Sequence, residues 1–194
     1  MVTAEQAMRV LVGCEESQKV TAAFRARGIE AYSNDIIGTR GRNAWHITGD
    51  VFKAIRERGP WDLGIFFPPC THVCVSGARW WPQKLVEQRA ALEFMRDLLE
   101  CGIPRIALEN PIGAFSTYWR KPDQIIQPWQ FGHPETKATC LWLKNLPLLQ
   151  PTDVLEPPYH ARVHRMAPGP NRARDRSETY SGIAEAMARQ WGAL

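Results

Sequence analysis

The sequence predicts an α/β fold, a mostly parallel sheet flanked by helices in a single domain. Short apolar runs rich in β-branched residues recur along the chain, segments of helical period lie between them, and the connections are short. At 194 residues the chain can bury one sizeable core without disulfide staples.

The elements follow in order. "MRVLVG" (8–13) is an apolar run closed by Gly13, as expected of a buried strand. Val20, Ala23, Phe24 and Arg27 then recur at helical spacing until Gly28, a natural helix stop. "IEAYSNDI" (29–36), "DLGIFF" (62–67) and "PRIALEN" (104–110) read as three further strands. Between the last two, Val86, Ala90, Ala91, Phe94, Met95, Leu98 and Leu99 mark the apolar stripe of one amphipathic helix. "ATCLWL" (138–143) is a late strand, and Ile183, Met187 and Trp191 mark a final helix. Residues 144–179, rich in proline and arginine, predict a long irregular loop, mobile in part.

In parallel sheets ligands bind just beyond the carboxyl ends of the strands. The four early strands end there in "GCEES", "SND", "PPCTH" and "ENP", so these stretches are expected to converge on one crevice. Pro68 and Pro69 fix two φ angles and remove two backbone donors, which mounts Cys70 on a stiff turn suited to a thiol that must meet a substrate at fixed geometry. Two other readings stay open: a buried structural cysteine, or a metal site from Cys70, His72 and Cys74 with His160 or His164, although this spacing matches no standard zinc pattern. Glu109 ends the neighbouring strand in a second proline turn, which sets a carboxyl beside the thiol. Asp35 lies where a doubly wound sheet places an acid for ribose hydroxyls. "GCEES" has one glycine and two carboxylates where a pyrophosphate needs backbone donors, which argues against a dinucleotide and leaves room for an adenosine cofactor without phosphates.

Hydrophobic residues make up 44% and charged residues 23%, a globular composition. No apolar run approaches the ~20 residues that span a bilayer, and the first residues are not those of a signal peptide, so a cytoplasmic protein without a membrane partner is expected. Cys14, Cys70, Cys74, Cys101 and Cys140 are an odd set and predict no disulfide framework. The net charge of +4 permits nucleic-acid binding without requiring it. Arg162, Arg165, Arg172, Arg174 and Arg176 form a cluster that either neutralises phosphates or is a solvated loop. Trp80 and Trp81 in "GARWWPQK" are either a stacking surface or core.

The order of "LVGCEES", "YSNDI", "TGDVF", "FFPPCTH" and "ALENP" resembles the cytosine-C5 DNA methyltransferases, specifically small phage-type members. The similarity spans residues 8–143 and resumes at 180–191, and its specific part is the pairing of "PPC" with "ENP". It implies a Rossmann-like methyltransferase fold that uses S-adenosyl-L-methionine. Cys70 would attack C6 of a cytosine while Glu109 holds N3 and protonates it, and C5 would then take the methyl group. Asn110 would anchor the Cys70 loop. The implied cofactor set is Gly13, Glu15, Asp35, Asp50 and Pro68, with Asp35 on the ribose, Asp50 at the adenine edge and Gly13 admitting the methionine portion. Lys137, Arg79, Arg172, Arg174 and Arg176 would face the nucleic acid, in the cytoplasm of the host if phage-encoded.

The departures bear on the substrate. Where the family carries Gln-x-Arg-x-Arg, this chain has Glu135, Lys137 and Thr139, and Ile183 replaces the asparagine that follows the glycine of the last motif. Residues 144–179 are too few for a target-recognition domain, so specificity would come from a separate partner, be minimal, or not arise. The expected substrate is a flipped-out or single-stranded cytosine in DNA. The alternatives are a free pyrimidine nucleotide, transfer of another group, or a catalytically silent nucleic-acid-binding protein.

Overall fold

The computed structural model describes residues 7–194, apart from the side chains of Ser76, Trp80 and His164. In chain order its elements are β1 (Arg9–Gly13), α1 (Lys19–Ala26), β2 (Glu30–Asp35), β3 (His46–Thr48), α2 (Val51–Arg58), β4 (Leu63–Phe66), α3 (Leu85–Leu99) and β5 (Arg105–Pro111). After these come α4 (Ala114–Tyr118), β6 (Gln124–Ile126), β7 (Thr139–Lys144), α5 (Arg162–Arg165), α6 (Arg172–Ser177) and α7 (Ser181–Trp191). The chain is thus α/β, with a seven-stranded sheet in the order β3-β2-β1-β4-β5-β7-β6. β7 is antiparallel to both β5 and β6, and the remaining strand pairs are parallel.

Alternation along the strands builds two apolar layers, one on each face. Val10, Val12, Leu63, Ile65, Ala107 and Leu141 point to one side, where Phe24 of α1 and Ile183, Met187 and Trp191 of α7 cover them. Leu11, Phe66, Ile106, Leu108 and Trp142 point to the other, beneath Met95, Leu98 and Leu99 of α3 and Phe115 of α4. α1 stops where Gly28 turns into the left-handed region at φ 77°. No helix among the described residues is long and apolar enough to cross a membrane.

The stripe on α3 starts later than the sequence suggests. Val86 is 80% exposed, and the buried face begins at Gln88, a polar residue whose Nε2 donates to the His72 carbonyl at 3.2 Å. β3, α2, α4 and β6 are additional to the predicted elements. The expected loop at 144–179 contains the short helices α5 and α6. Trp81 is half-buried against the second apolar layer, while the side chain of Trp80 lies outside the described ones.

The sheet order locates the crevice. From β1 the chain moves outward to β2 and β3, then crosses back to β4 on the other side of β1. The carboxyl ends of β1 and β4 therefore flank the switch point, the place where open α/β sheets bind ligands.

Candidate active site

Cys70 follows β4 by one stiff turn. Asn110, at the end of the adjacent strand β5, donates from Nδ2 to the Pro68 carbonyl at 2.8 Å and ties the two strand ends together. Beyond Cys70 the chain closes one helical turn, with Val73 N and Cys74 N both donating to the Cys70 carbonyl at 3.1 and 3.0 Å. Cys74 then bridges to Gly113, and Ala114 N donates to the Val73 carbonyl at 2.7 Å. A Cβ at Gly113 would overlap that same carbonyl oxygen, so the approach of the two segments requires glycine. Gly113→Ala is expected to cost about 1–3 kcal/mol of overpacking. Denaturant melts check this, and an unchanged midpoint would show that the two segments are not held this closely.

Cys70 is half-buried. A hydrogen bond with the Cys74 thiol, then burial, then the charges of Cys74 and Glu109 all hold its pKa well above the ordinary thiol value. Burial also raises the Glu109 carboxyl, and the nearby Lys137 cation pulls it back in part. The same carboxylate, after burial, helps raise Cys140 to about 11. Glu109 therefore lies within charge range of Cys70, Cys140 and Lys137. Three buried polar atoms without a hydrogen-bond partner, His72 Nδ1, Trp81 Nε1 and Asn110 Oδ1, belong to this turn and its supports. No three His, Cys, Asp or Glu side chains among the described residues are placed to hold a metal ion. His164, one of the ligands considered from sequence, has its side chain outside the described ones.

Glu109 lines a small cavity with Phe67, Lys137, Thr139, Thr179 and Tyr180, and its free space of about 10 Å³ is that of one water molecule. Lys137 Nζ donates to the carbonyls of Arg176 and Glu178 at 2.9 and 3.4 Å, which draws the segment after α6 over this cavity. Beside it, sharing Thr179 and Tyr180, opens a groove of about 380 Å³ lined also by Lys19, Arg162, Asp175 and Glu178.

At the ends of β1 and β2, burial and then the carboxylates of Asp35 and Asp50 raise the Cys14 thiol to about 12, which places these three groups together. Asp50 caps α2, its Oδ1 accepting from Lys53 N at 2.8 Å, and Asp35 Oδ1 accepts from Ile37 N at 3.2 Å. Ile36, next to Asp35, is 79% exposed.

A Cβ on Gly13 would lie 2.6 Å from Phe66 Cδ1 and 2.9 Å from Val51 Cγ2, so packing within the protein already requires a glycine here. One expectation for the first turn needs correction. Glu15 does not face the crevice. It is 4% exposed, and its carboxylate accepts from Val20 N, Thr21 N and Thr21 Oγ1 at the start of α1. Of the two carboxylates thought to repel a pyrophosphate, only Glu16 remains near the surface, and Arg40 pairs with it at 2.7 Å.

Burial raises the Glu15 carboxyl from 4.5 to about 7, against the pull of those three hydrogen bonds. The folded state thus binds more protons than the unfolded chain between these values, and stability should fall as pH rises from about 4.5 through about 7. The loss is at most about 3 kcal/mol. Urea melts across this window check it, and the slope should flatten in Glu15→Gln; equal slopes in the two proteins would refute the assignment.

The arginine cluster is partly neutralised within the chain. Arg162 Nε pairs with Glu135 at 2.8 Å, and Arg174 lies 3.5 Å from Asp175. Arg172 Nε donates to the Met166 carbonyl at 2.8 Å. Arg176 is half-buried, and Arg79 is exposed on the 3₁₀ segment Val75–Gln83.

No family model and no curated protein matches the chain. What the chain can do therefore rests on its own geometry.

Three contacts at the site have no clear sequence signal. Tyr180 donates to Glu135 at 2.5 Å, so Glu135 holds both Tyr180 and Arg162; burial pushes the Glu135 carboxyl up, and these two partners outweigh it and leave it below its ordinary value. His133 Nε2 accepts from Gly182 N at 3.0 Å and caps α7. Arg40 joins Glu16 to Glu178, so the segment after α6 is fastened on the β1 side as well as by Lys137. All three bring together residues far apart in sequence. The Cys70–Cys74 contact, by contrast, is legible as a spacing of four.

Proposed function

We propose that the chain transfers a methyl group from S-adenosylmethionine to C5 of cytosine through a transient bond between Cys70 and C6. The observation that carries this reading is the pair of reactive groups at the ends of the adjacent parallel strands β4 and β5. Cys70 and Glu109 lie within charge range there and are locked in register by the Asn110–Pro68 bond.

The chemistry requires both groups. The Cys70 thiol gives its proton to water as the sulfur attacks C6, and the electrons pushed toward N3 meet a proton from the Glu109 carboxyl. Its burial-raised pKa suits a proton donor. C5 becomes electron-rich; after alkylation water takes the C5 proton, the C5–C6 double bond re-forms, the Cys70 sulfur is expelled and the N3 proton returns to Glu109. Lys137, bonded to the carbonyls of Arg176 and Glu178, holds a positive charge beside Glu109.

The groups at the ends of β1 and β2 fit an adenosine cofactor. Asp35 and Asp50 converge there, and exposed Ile36 adds an apolar surface beside Asp35. S-adenosylmethionine, when bound, supplies the electrophilic methyl group. Asp35 would hold its ribose hydroxyls, with Asp50 and Ile36 at its base.

A second reading, the same chemistry on a free pyrimidine nucleotide, is favoured by the self-paired arginines. The test supplies methyl-labelled S-adenosylmethionine with single-stranded DNA, duplex DNA and free cytidine nucleotides in separate reactions. Label at C5 of cytosine in DNA supports the first reading, and label confined to the nucleotide supports the second. No label in any reaction, together with no adduct on 5-fluorocytosine, leaves a binding protein.

A further inference from the structure

We propose that Cys70 and Cys74 form an oxidisable dithiol, in which a hydroperoxide converts the two thiols to a disulfide within one turn and so withdraws Cys70 from chemistry. The placement of both residues on one closed turn supports this. Cys74 N closes the turn on the Cys70 carbonyl at 3.0 Å. One helical turn sets such Cα atoms about 6 Å apart, inside the range a disulfide spans, and their Cβ atoms about 5–6 Å apart, so the turn tightens by about 1–2 Å to close the bond.

The turn is also clamped at both ends. Asn110 holds Pro68 ahead of Cys70, and the bridge to Gly113 holds Cys74. Both residues are half-buried. Cys101 precedes β5 and lies at the opposite end of the sheet, and Cys140 is buried in β7. The thiol one helical turn from Cys70 is Cys74.

The reaction balances with the hydroperoxide as oxidant. One thiolate sulfur attacks a peroxide oxygen and breaks the O–O bond, giving a sulfenic acid and, after proton uptake, water or an alcohol. The second sulfur attacks the sulfenic sulfur; an S–S bond forms, the S–O bond breaks, and the departing hydroxide takes the second thiol's proton to leave as water. Two sulfurs lose two electrons between them, and the peroxide gains both.

The test reads mass, so it stands apart from methyl transfer. The intact protein is treated with graded hydrogen peroxide, then denatured, alkylated and digested with trypsin. No Lys or Arg interrupts residues 59–79, so both cysteines fall in one peptide. That peptide should lose two hydrogens and resist alkylation until dithiothreitol is added, while Cys14, Cys101 and Cys140 remain alkylated. In Cys74→Ser the two-hydrogen loss should vanish, and dimedone should capture a sulfenic acid at Cys70. Phenylarsine oxide, which bridges paired thiols, should bind the reduced wild type and neither Cys70→Ser nor Cys74→Ser. The proposal is overturned if the wild type accumulates a dimedone adduct at Cys70 without the two-hydrogen loss. It is equally overturned if Cys70 pairs with another cysteine, or if Cys74→Ser oxidises as the wild type does.

Discussion

Cys70→Ala is expected to lower methyl transfer by about ten-thousand-fold or more, because removal of a covalent nucleophile leaves only binding and orientation. On DNA or nucleotide carrying 5-fluorocytosine, the wild type should form an adduct that survives denaturation, since fluorine at C5 cannot leave as a proton does. The alanine variant should form none. The fold is expected to survive the change. Cys70 is half-buried, its turn is closed by backbone bonds, and neither the Asn110–Pro68 bond nor the Gly113 contact uses its sulfur. A variant that still traps the fluorinated base would refute the covalent mechanism and with it the role of β4.

Glu109→Gln is expected to lower kcat by about a hundred- to ten-thousand-fold, the usual worth of a positioned proton donor. Glutamine keeps the shape and can hydrogen-bond to N3, so KM should change much less than kcat. The pH profile offers a second readout. Burial raises the Glu109 carboxyl and Lys137 restrains that rise. In Lys137→Met the restraint is gone, so the limb of the profile that belongs to Glu109 should move to higher pH, and it should be missing from Glu109→Gln. Glutamine at 109 with nearly unchanged kcat would leave the carboxyl without a role in proton transfer.

The main layers of this fold were legible because they follow from local pattern. β1, β2, β4, β5, α1 and α7 carry apolar periodicity that their own residues settle. β3 and β6 were not legible, since three residues such as His46–Thr48 carry too little pattern and exist through pairing with a neighbour. The reversal of β7 is likewise a property of its partners, as "ATCLWL" would read the same in either direction. At the site, the proline turn and the strand-end glutamate announce themselves. Which way a carboxylate points does not. Glu15 and Glu16 are adjacent, yet one turns inward onto α1 and the other meets Arg40, a residue twenty-four positions on. Gly13 is a related case: the need for a glycine at this strand end comes from the Phe66 ring, which lies far along the chain.

The reversed course of β7 has a consequence for the whole C-terminal third. Thr139 lies opposite Pro111, so the approach to β7 delivers Lys137 to the working rim of the sheet, but Lys144 leaves at the far rim, opposite Ile106. The chain must then travel back the height of the sheet, about 20 Å for a six-residue strand, before Arg162, α6 and Tyr180 can take their places. Residues 145–161 make that journey, docking on Gln124, Gln130 and Gly132 and meeting Glu135 at His160. The proline-rich stretch is thus a tether whose length is set by the sheet, and shortening it would pull the upper wall off the crevice.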